Sequence, residues 1–428
     1  MTRHPHLKNR IRARMDATGE RYTTARRHVL NAQPPGDYTL LGGVHPDTAA
    51  IAGVLANRGL VMPGTGTPLS EAMILGIGGG LGAGYILWEF ERTSRRVVVL
   101  GFRTQWQYPD RWAAGLCERL GVPFELRETG GRVRAEADLR SAIEAGTPVV
   151  AWIDTQVIGY QHSPDELRGY FGNSIAVYGL DDERGVALVD DRNTAPLTVG
   201  QAALAAARAS IPSFKQRVLV MDAAGAELDE TRLRAAVTEG IERCAAHLTG
   251  TSASFQLPAV RKWARMMTDT RNAKGWPRVF ADGHRLFECL LSITEGVADG
   301  AHLRGLYASF LDEAAAITGR DGLREAAAAY RELGADWEAL AVAAAPAGNA
   351  PFAEAAALGA RLRAALRRGD AGQPDAAEAA RKLWALKHRW REEVPLGGDE
   401  VDGLLAELHE RLLGIYERET AAAKLLTA

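Results

Sequence analysis

His45 is the best-placed residue of this sequence for acid–base or ligand chemistry, because it stands directly before a predicted helix, Asp47–Gly59. The first backbone N–H groups of a helix are unpaired and carry partial positive charge. An imidazole there could be a general base, an orienting donor or a metal ligand. It could equally be a structural residue that holds the loop. Asp47 and Thr48 are either caps of the helix or groups of the same site.

Further side chains that could do chemistry lie at a strand end and in loops. Asp190 and Asp191 end a predicted strand with Arg192 beside them, a pattern that fits an orienting acid, a turn or a salt bridge. His162 stands in a Tyr-Gln-His-Ser-Pro turn, where it is either an imidazole supplied to a site or a solvated loop residue. Ser174 offers a hydroxyl, but no histidine is clearly placed to activate it.

The glycine-rich stretch Gly76–Gly84 has two interpretations. Clustered backbone N–H groups can cradle a phosphate or another anion. A dinucleotide fingerprint, however, needs a strand before the glycines and a long helix after them. Here a predicted helix, Leu69–Leu75, precedes them and an extended run, Tyr85–Phe90, follows. A tight turn with close backbone packing is therefore the first expectation, and an anion or acyl-chain cradle is the second.

The elements around these residues predict an α+β fold with a helical second half. Short β-branched runs bounded by turn residues indicate strands at Val97–Phe102, Pro148–Ile153, Ser174–Tyr178 and Val186–Val189. After about Ala223 only helical patterns remain, as in Glu230–Leu248. We expect a basic helical extension at 1–37, a mixed domain at 38–222 and a helical domain at 223–428.

One apolar stripe in the last predicted helix indicates core or an oligomer contact rather than a cofactor site. Leu404, Leu408, Leu412 and Ile415 recur at helical spacing. A homo-oligomer formed through the C-terminal helices is therefore one expectation from the sequence.

Composition narrows the class of protein. A net charge of -2 over 428 residues argues against nucleic acid as the partner. The three cysteines, Cys117, Cys244 and Cys289, are far apart and predict neither a disulfide framework nor a zinc site. The basic, polar start shows no secretory signal and no run has membrane-span length, so we expect a cytoplasmic protein with no membrane contact.

A string of segments resembles the family of butirosin biosynthesis protein H. The segments are Leu41–Ala50, Leu69–Met73 with the glycine loop ending in Tyr85, Pro148–Asp154 with Tyr160, and Val177–Glu183. In the second half, Leu303–Tyr307, Phe310–Ala315 and Trp337 resemble the helical domain of that family. The likeness spans roughly Thr39 to Val342.

The resemblance implies a papain/peptidase-C39-like N-terminal domain. It also implies transfer of an acyl group from a carrier-protein thioester to an amine. That chemistry uses a thiolate at a helix N-terminus and a histidine on a neighbouring strand. In this sequence Pro46 replaces the cysteine, and Asn173 fills the histidine position, six residues before Gly179. Leu180 stands where the family has a tyrosine.

Both halves of the nucleophile–base pair are thus replaced, and two hypotheses remain. The first is an enzyme that catalyses amide formation, condensation or cyclisation without a cysteine. The second is a non-catalytic protein that binds a carrier protein, a peptide or a small metabolite. Neither needs a cofactor or a metal. The predicted catalytic residues are His45, Asp154 and Asp190. The predicted substrate-binding residues are Asp47, Thr48, Glu71, Gly79, Gly80, Tyr85, Tyr160, His162 and Asn173. Glu71 is either such a site group or a tie for the glycine loop.

Overall fold

The computed structural model describes residues 15, 21, 22, 38–90 and 94–427. The predicted extension at 1–37 therefore lies almost wholly outside the described residues. The strands are β1 (Leu81–Phe90), β2 (Arg95–Arg103), β3 (Phe124–Arg127), β4 (Val149–Asp154), β5 (Gly172–Asp181), β6 (Val186–Asp190), β7 (Leu197–Gly200) and β8 (Val218–Met221). The helices among them are α1 (Pro46–Asn57), α2 (Glu71–Ile77), α3 (Pro109–Leu120), α4 (Arg132–Glu144) and α5 (Gln201–Ser210).

Helices alone follow within residues 222–427. They are α6 (Glu230–Leu248), α7 (Pro258–Thr268), α8 (Trp276–Val279), α9 (Leu286–Val297), α10 (Arg304–Thr318), α11 (Gly322–Ala343), α12 (Ala350–Arg367), α13 (Gln373–Arg389) and α14 (Gly398–Leu425). The predicted order, with a mixed α and β first part followed by a helical second part, is confirmed.

A six-stranded antiparallel sheet carries the first part, in the order β3-β8-β4-β5-β6-β7. Neighbouring residues of a strand point to opposite faces. On β5, Ala176 joins the core on the side of α1, while Ile175 and Val177 join a second core with α4 and α5. The sheet is therefore covered on both faces, and the start of β5 lies against α1.

The hairpin of β1 and β2 forms a separate two-stranded sheet that packs on helices α6, α7 and α9. A Cβ added at Gly76 would come within 2.2 Å of the Phe310 ring, and one at Gly240 within 2.4 Å of the Gly76 carbonyl oxygen. Such close approach explains glycine at these points. One hydrophobic core runs from α1 and α2 through the hairpin to α14. The expected boundary at 222 marks the change from strands to helices but does not divide this core.

One local expectation needs correction. The cap of α1 is His45, not Asp47 or Thr48, because Pro46 takes the first helical position that proline favours. The apolar stripe of α14 is buried within the chain against α7 and α11, which matches the core interpretation of that stripe.

Candidate functional site

His45 acts as a hydrogen-bond acceptor at the mouth of α1, which comprises the N-terminal end of that helix and the side chains around it. The backbone N–H of Asp47 donates to His45 Nδ1 at 3.2 Å, which satisfies one of the unpaired groups of the helix start. Because Nδ1 accepts, the proton of the neutral ring is on Nε2. Burial lowers the pKa of His45 to about 4, and the charges of Arg103 and Arg192 act in the same direction. At neutral pH His45 is therefore a hydrogen-bond donor through Nε2 rather than a base.

Glu71 fixes the loop that leads into α1. Its carboxylate accepts the N–H groups of Val44 and His45, both at 2.9 Å, and the Thr48 hydroxyl at 2.6 Å. The loop lies so close to the helix that a Cβ at Gly43 would come within 2.4 Å of Ala49 Cβ. Glu71 therefore fixes a loop through backbone N–H groups, as one of the two interpretations predicted. The loop that it fixes is the one before α1, however, and not the glycine loop.

Asp47 joins β2 and β5 to the helix mouth. Arg103 Nη2 donates to Asp47 Oδ2 at 2.6 Å, and the Ser174 hydroxyl donates to Asp47 Oδ1 at 2.7 Å. Arg103 is buried and lies 4.1 Å over the Trp112 ring. Burial acts to raise the pKa of Asp47, but the charge of Arg103, with His45 and Ser174, outweighs it and holds the pKa below its ordinary value. An ionised Asp47 of lowered pKa is a weak base, so it does not activate Ser174.

A second polar group, Tyr160–Asp191–Arg192, lies beside the mouth. The Tyr160 hydroxyl donates to Asp191 at 3.0 Å, and Arg192 donates to the same carboxylate through two nitrogens, at 3.0 and 2.9 Å. Arg192 has a φ of 64°, a left-handed conformation that costs energy in a residue with a side chain. Its positive charge reaches both His45 and Glu71. The mouth therefore combines two guanidinium groups with three carboxylates.

Asp190 lies behind the mouth, along α1. Its carboxylate accepts the Tyr38 hydroxyl at 3.2 Å and would be 3.0 Å from a Cβ at Gly53. Gly53 is eight residues beyond His45, or about 12 Å along a helix. Burial raises the pKa of Asp190 to about 7. Asp190 can therefore exchange a proton near neutral pH, but it does not contact His45.

Three predicted site residues have other surroundings. Asp154 accepts Gly169 N–H at 2.7 Å and the Ser210 hydroxyl at 2.6 Å, contacts that fix the loop after β4. His162 Nε2 pairs with Gln373 Oε1 at 2.9 Å, at the start of α13. Asn173 adjoins Ser174 on β5, so strand alternation turns it to the opposite face, away from Asp47. The structure does not bring these three to His45.

Gly79, Gly80 and Tyr85 are interior packing residues. A Cβ at Gly80 would come within 2.6 Å of the Tyr307 ring, and one at Gly79 within 2.9 Å of the Thr104 methyl group. The buried Tyr85 hydroxyl accepts the Trp276 indole N–H at 2.7 Å. These contacts match the close-packing interpretation of the glycine loop and leave its glycines covered by the core.

Arg103 is the main site residue that the sequence did not single out. It lies 56 positions after Asp47, so no local motif joins the two. The one available signal is an arginine that ends the apolar run Val97–Phe102, where burial would require an acidic partner.

None of the histidine, cysteine and acidic side chains of the described residues form a group of three or more that could hold a metal ion. None of the described helices combines the length and apolar character that a membrane crossing requires.

Two family models match the chain, and the first covers the site. Residues 45–192 match the model described as butirosin biosynthesis protein H, N-terminal, and residues 202–369 match a domain of unknown function, DUF4872. No curated protein matches the chain. The first model begins at His45 and ends at Arg192, so it contains the whole helix mouth. With both models in order, the chain belongs to the butirosin biosynthesis protein H-like family and is a biosynthesis-related protein.

Proposed function

We propose that this protein transfers an acyl group directly from a thioester to an amine at the mouth of α1, with no covalent enzyme intermediate. The amine nitrogen bonds to the carbonyl carbon, the C–S bond breaks, and the proton lost by the amine ends on the departing thiolate. The acyl donor is a carrier-protein thioester, in keeping with a papain/C39-like origin of the domain. A helix mouth that faces the first residues of an antiparallel strand supports that origin.

The observation that carries the proposal is the state of His45. Its Nδ1 is used as a helix cap, and its lowered pKa keeps the ring neutral, so Nε2–H remains to donate. A fixed donor aimed at a carbonyl oxygen stabilises the negative charge that develops there during attack. Because the acyl group arrives as a thioester, positioning the two reactants can supply much of the remaining acceleration.

Binding without catalysis is the second candidate, and one observation favours it. Asp47 and Glu71 each accept two or more hydrogen bonds from the protein itself. Because these two carboxylates already accept hydrogen bonds, neither is free to take a proton from an incoming amine. Under this alternative the chain holds a carrier protein, a peptide or a small metabolite for another enzyme.

Acyl-N-acetylcysteamine thioesters with an amine acceptor test the proposal, with amide formation followed by mass spectrometry. His45→Asn retains a capping oxygen but has no group at the position of Nε2, so amide formation should fall about a hundredfold. The matched control is His409→Asn, a half-buried histidine of α14 whose Nδ1 pairs with a backbone carbonyl. This control should retain full rate.

Each result separates the candidates. Equal rates in His45→Asn and the unchanged protein would remove His45 from the mechanism. Saturable thioester binding without amide formation would replace the transfer proposal by the binding alternative. Neither binding nor turnover with carrier-bound thioesters would contradict acyl transfer and would leave only a peptide or a small metabolite as the bound molecule of the alternative.

A further inference from the structure

A polar cavity of about 270 Å³ lies apart from the mouth of α1. Its walls come from the start of β2, the loop between β4 and β5, α9 and α13. Among the side chains that line it are Arg95, Gln156, Arg285, Phe171 and Trp384. None of the predicted site residues lines it.

The charges around this cavity do not balance. Glu166 is 2.7 Å from Arg391 and 3.0 Å from Arg95, Glu288 is 2.7 Å from Arg285, and Glu295 is 2.7 Å from Lys387. Four cations thus share three carboxylates, although Arg391 is not itself part of the wall. The third arginine of the wall, Arg96, has its own partner in Asp282. One positive charge is left over in a largely buried setting, where an unpaired charge is costly.

Buried donors on the wall also lack partners. Among the described residues, Arg95 Nη2 and Arg285 Nε are buried and make no hydrogen bond, and both side chains are at most 7 % exposed. The approach of Arg95 Nη2 to Glu166 is short but poorly angled. Gln156 Oε1 is a buried acceptor without a donor. Unsatisfied buried polar groups are rare in native proteins and call for a ligand, a water or a functional explanation.

The rest of the wall is apolar and aromatic. Phe171 and the half-buried Trp384 face the cavity, and Lys387 Nζ lies 4.6 Å from the centre of the Trp384 ring. A flat apolar group can lie against such a surface while its charged end meets guanidinium N–H groups.

The geometry points to a binding site for a small monocarboxylate with a flat apolar body. The carboxylate supplies the one missing negative charge and accepts from Arg95 and Arg285, and a donor on the ligand meets Gln156. A monoanion fits better than a phosphate dianion, which would bring more charge than the surplus cation balances. This site shares no residue with the acyl-transfer proposal, so either can fail alone.

Calorimetric titration of the full chain with indole-3-acetate, phenylacetate, indole-3-acetamide and phenyl phosphate tests the assignment. At millimolar concentrations we expect saturable binding of the two carboxylates and at least about tenfold weaker binding of the neutral amide. Arg95→Gln and Trp384→Ala should each weaken carboxylate binding about tenfold. Arg265→Gln, beside a separate cavity lined by Arg261 and Lys262, should leave it unchanged.

Several results would overturn the assignment. They are equal binding of acid and amide, tighter binding of phenyl phosphate, unchanged binding in Arg95→Gln, and no saturable binding of either carboxylate. Thermal melting checks that each variant folds. If Arg95→Gln does not fold, binding by Trp384→Ala tests the assignment instead, since the half-buried Trp384 ring can be removed with little effect on the core.

Discussion

The mouth of α1 and the cavity beside Arg95 are both built from arginines and carboxylates, yet their excess charge differs in sign. At the mouth, three carboxylates face two guanidinium groups, and both Asp47 and Glu71 accept hydrogen bonds from the protein itself. At the cavity, four cations share three carboxylates, and Arg95 Nη2 and Arg285 Nε make no hydrogen bond. Carboxylates that already accept hydrogen bonds hold the mouth in one arrangement, whereas cations with unused donors can recognise an anionic ligand.

The largest effect on stability is expected where a substitution removes the partner of a buried charge. Arg103→Met leaves Asp47 ionised and nearly buried, with a side chain only 14 % exposed. We expect a loss of about 3–5 kcal/mol in the free energy of unfolding, measured by urea denaturation. The control Arg134→Met removes a surface arginine that is 78 % exposed and should cost almost nothing. Similar losses in the two variants would show that the mouth does not depend on paired charge.

The pH dependence of stability should separate the mouth from the residues behind it. Folding raises the Asp190 pKa from 3.8 to about 7, so native Asp190 keeps a proton that the unfolded chain has lost, and stability falls as pH rises across that window. Folding lowers the His45 pKa from 6.5 to about 4, so this group makes stability rise with pH between those values. Each slope approaches about 1.4 kcal/mol per pH unit at most.

Urea midpoints recorded from mildly acidic to neutral pH test both slopes. Asp190→Asn should make stability rise more steeply with pH than in the unchanged protein, and His45→Asn should make it rise less steeply. A profile of Asp190→Asn that matches the unchanged protein would mean that Asp190 titrates at its ordinary value.

The helix cap should have a smaller effect. His45→Ala removes the acceptor of the Asp47 N–H and should cost about 1 kcal/mol, whereas His45→Asn keeps an acceptor and should cost a few tenths at most. Thermal melting measures the difference. Equal losses would indicate that the ring is needed for packing rather than for its nitrogen.

The smallest loss is expected at the unbalanced cavity. Arg95→Gln leaves Glu166 paired with Arg391 at 2.7 Å, so stability should change by about 1 kcal/mol or less. Urea denaturation beside Arg103→Met gives the direct comparison. A loss as large as that of Arg103→Met would mean that Arg95 is a structural cation and not a surplus one.

Elements with strong local signals could be predicted from the sequence. Helix α6 runs from Glu230 to Leu248 as predicted, because Asp229 caps its start and its apolar face is continuous. The turn between β5 and β6, residues 182–185, lies between the predicted strands Ser174–Tyr178 and Val186–Val189. The short strands β3, β7 and β8 were not predicted, since four residues carry too little periodicity to separate strand from loop.

The site could be predicted only in part, for a geometric reason. His45, Asp47, Thr48 and Glu71 lie together because the helix mouth and α2 are near in sequence. Arg103 reaches the mouth from β2. On β5 it is Ser174 that faces the mouth, and a register shifted by one residue would place Asn173 there instead. Such long-range pairings and strand faces depend on tertiary register, which residue spacing does not show.

The intact mass of the protein during turnover tests the central claim most directly. With a carrier-bound or N-acetylcysteamine thioester and an amine present, we predict that amide accumulates while the protein keeps its unmodified mass. A protein species heavier by one acyl group, formed and lost at the rate of turnover, would show a covalent intermediate and contradict direct transfer at the mouth of α1.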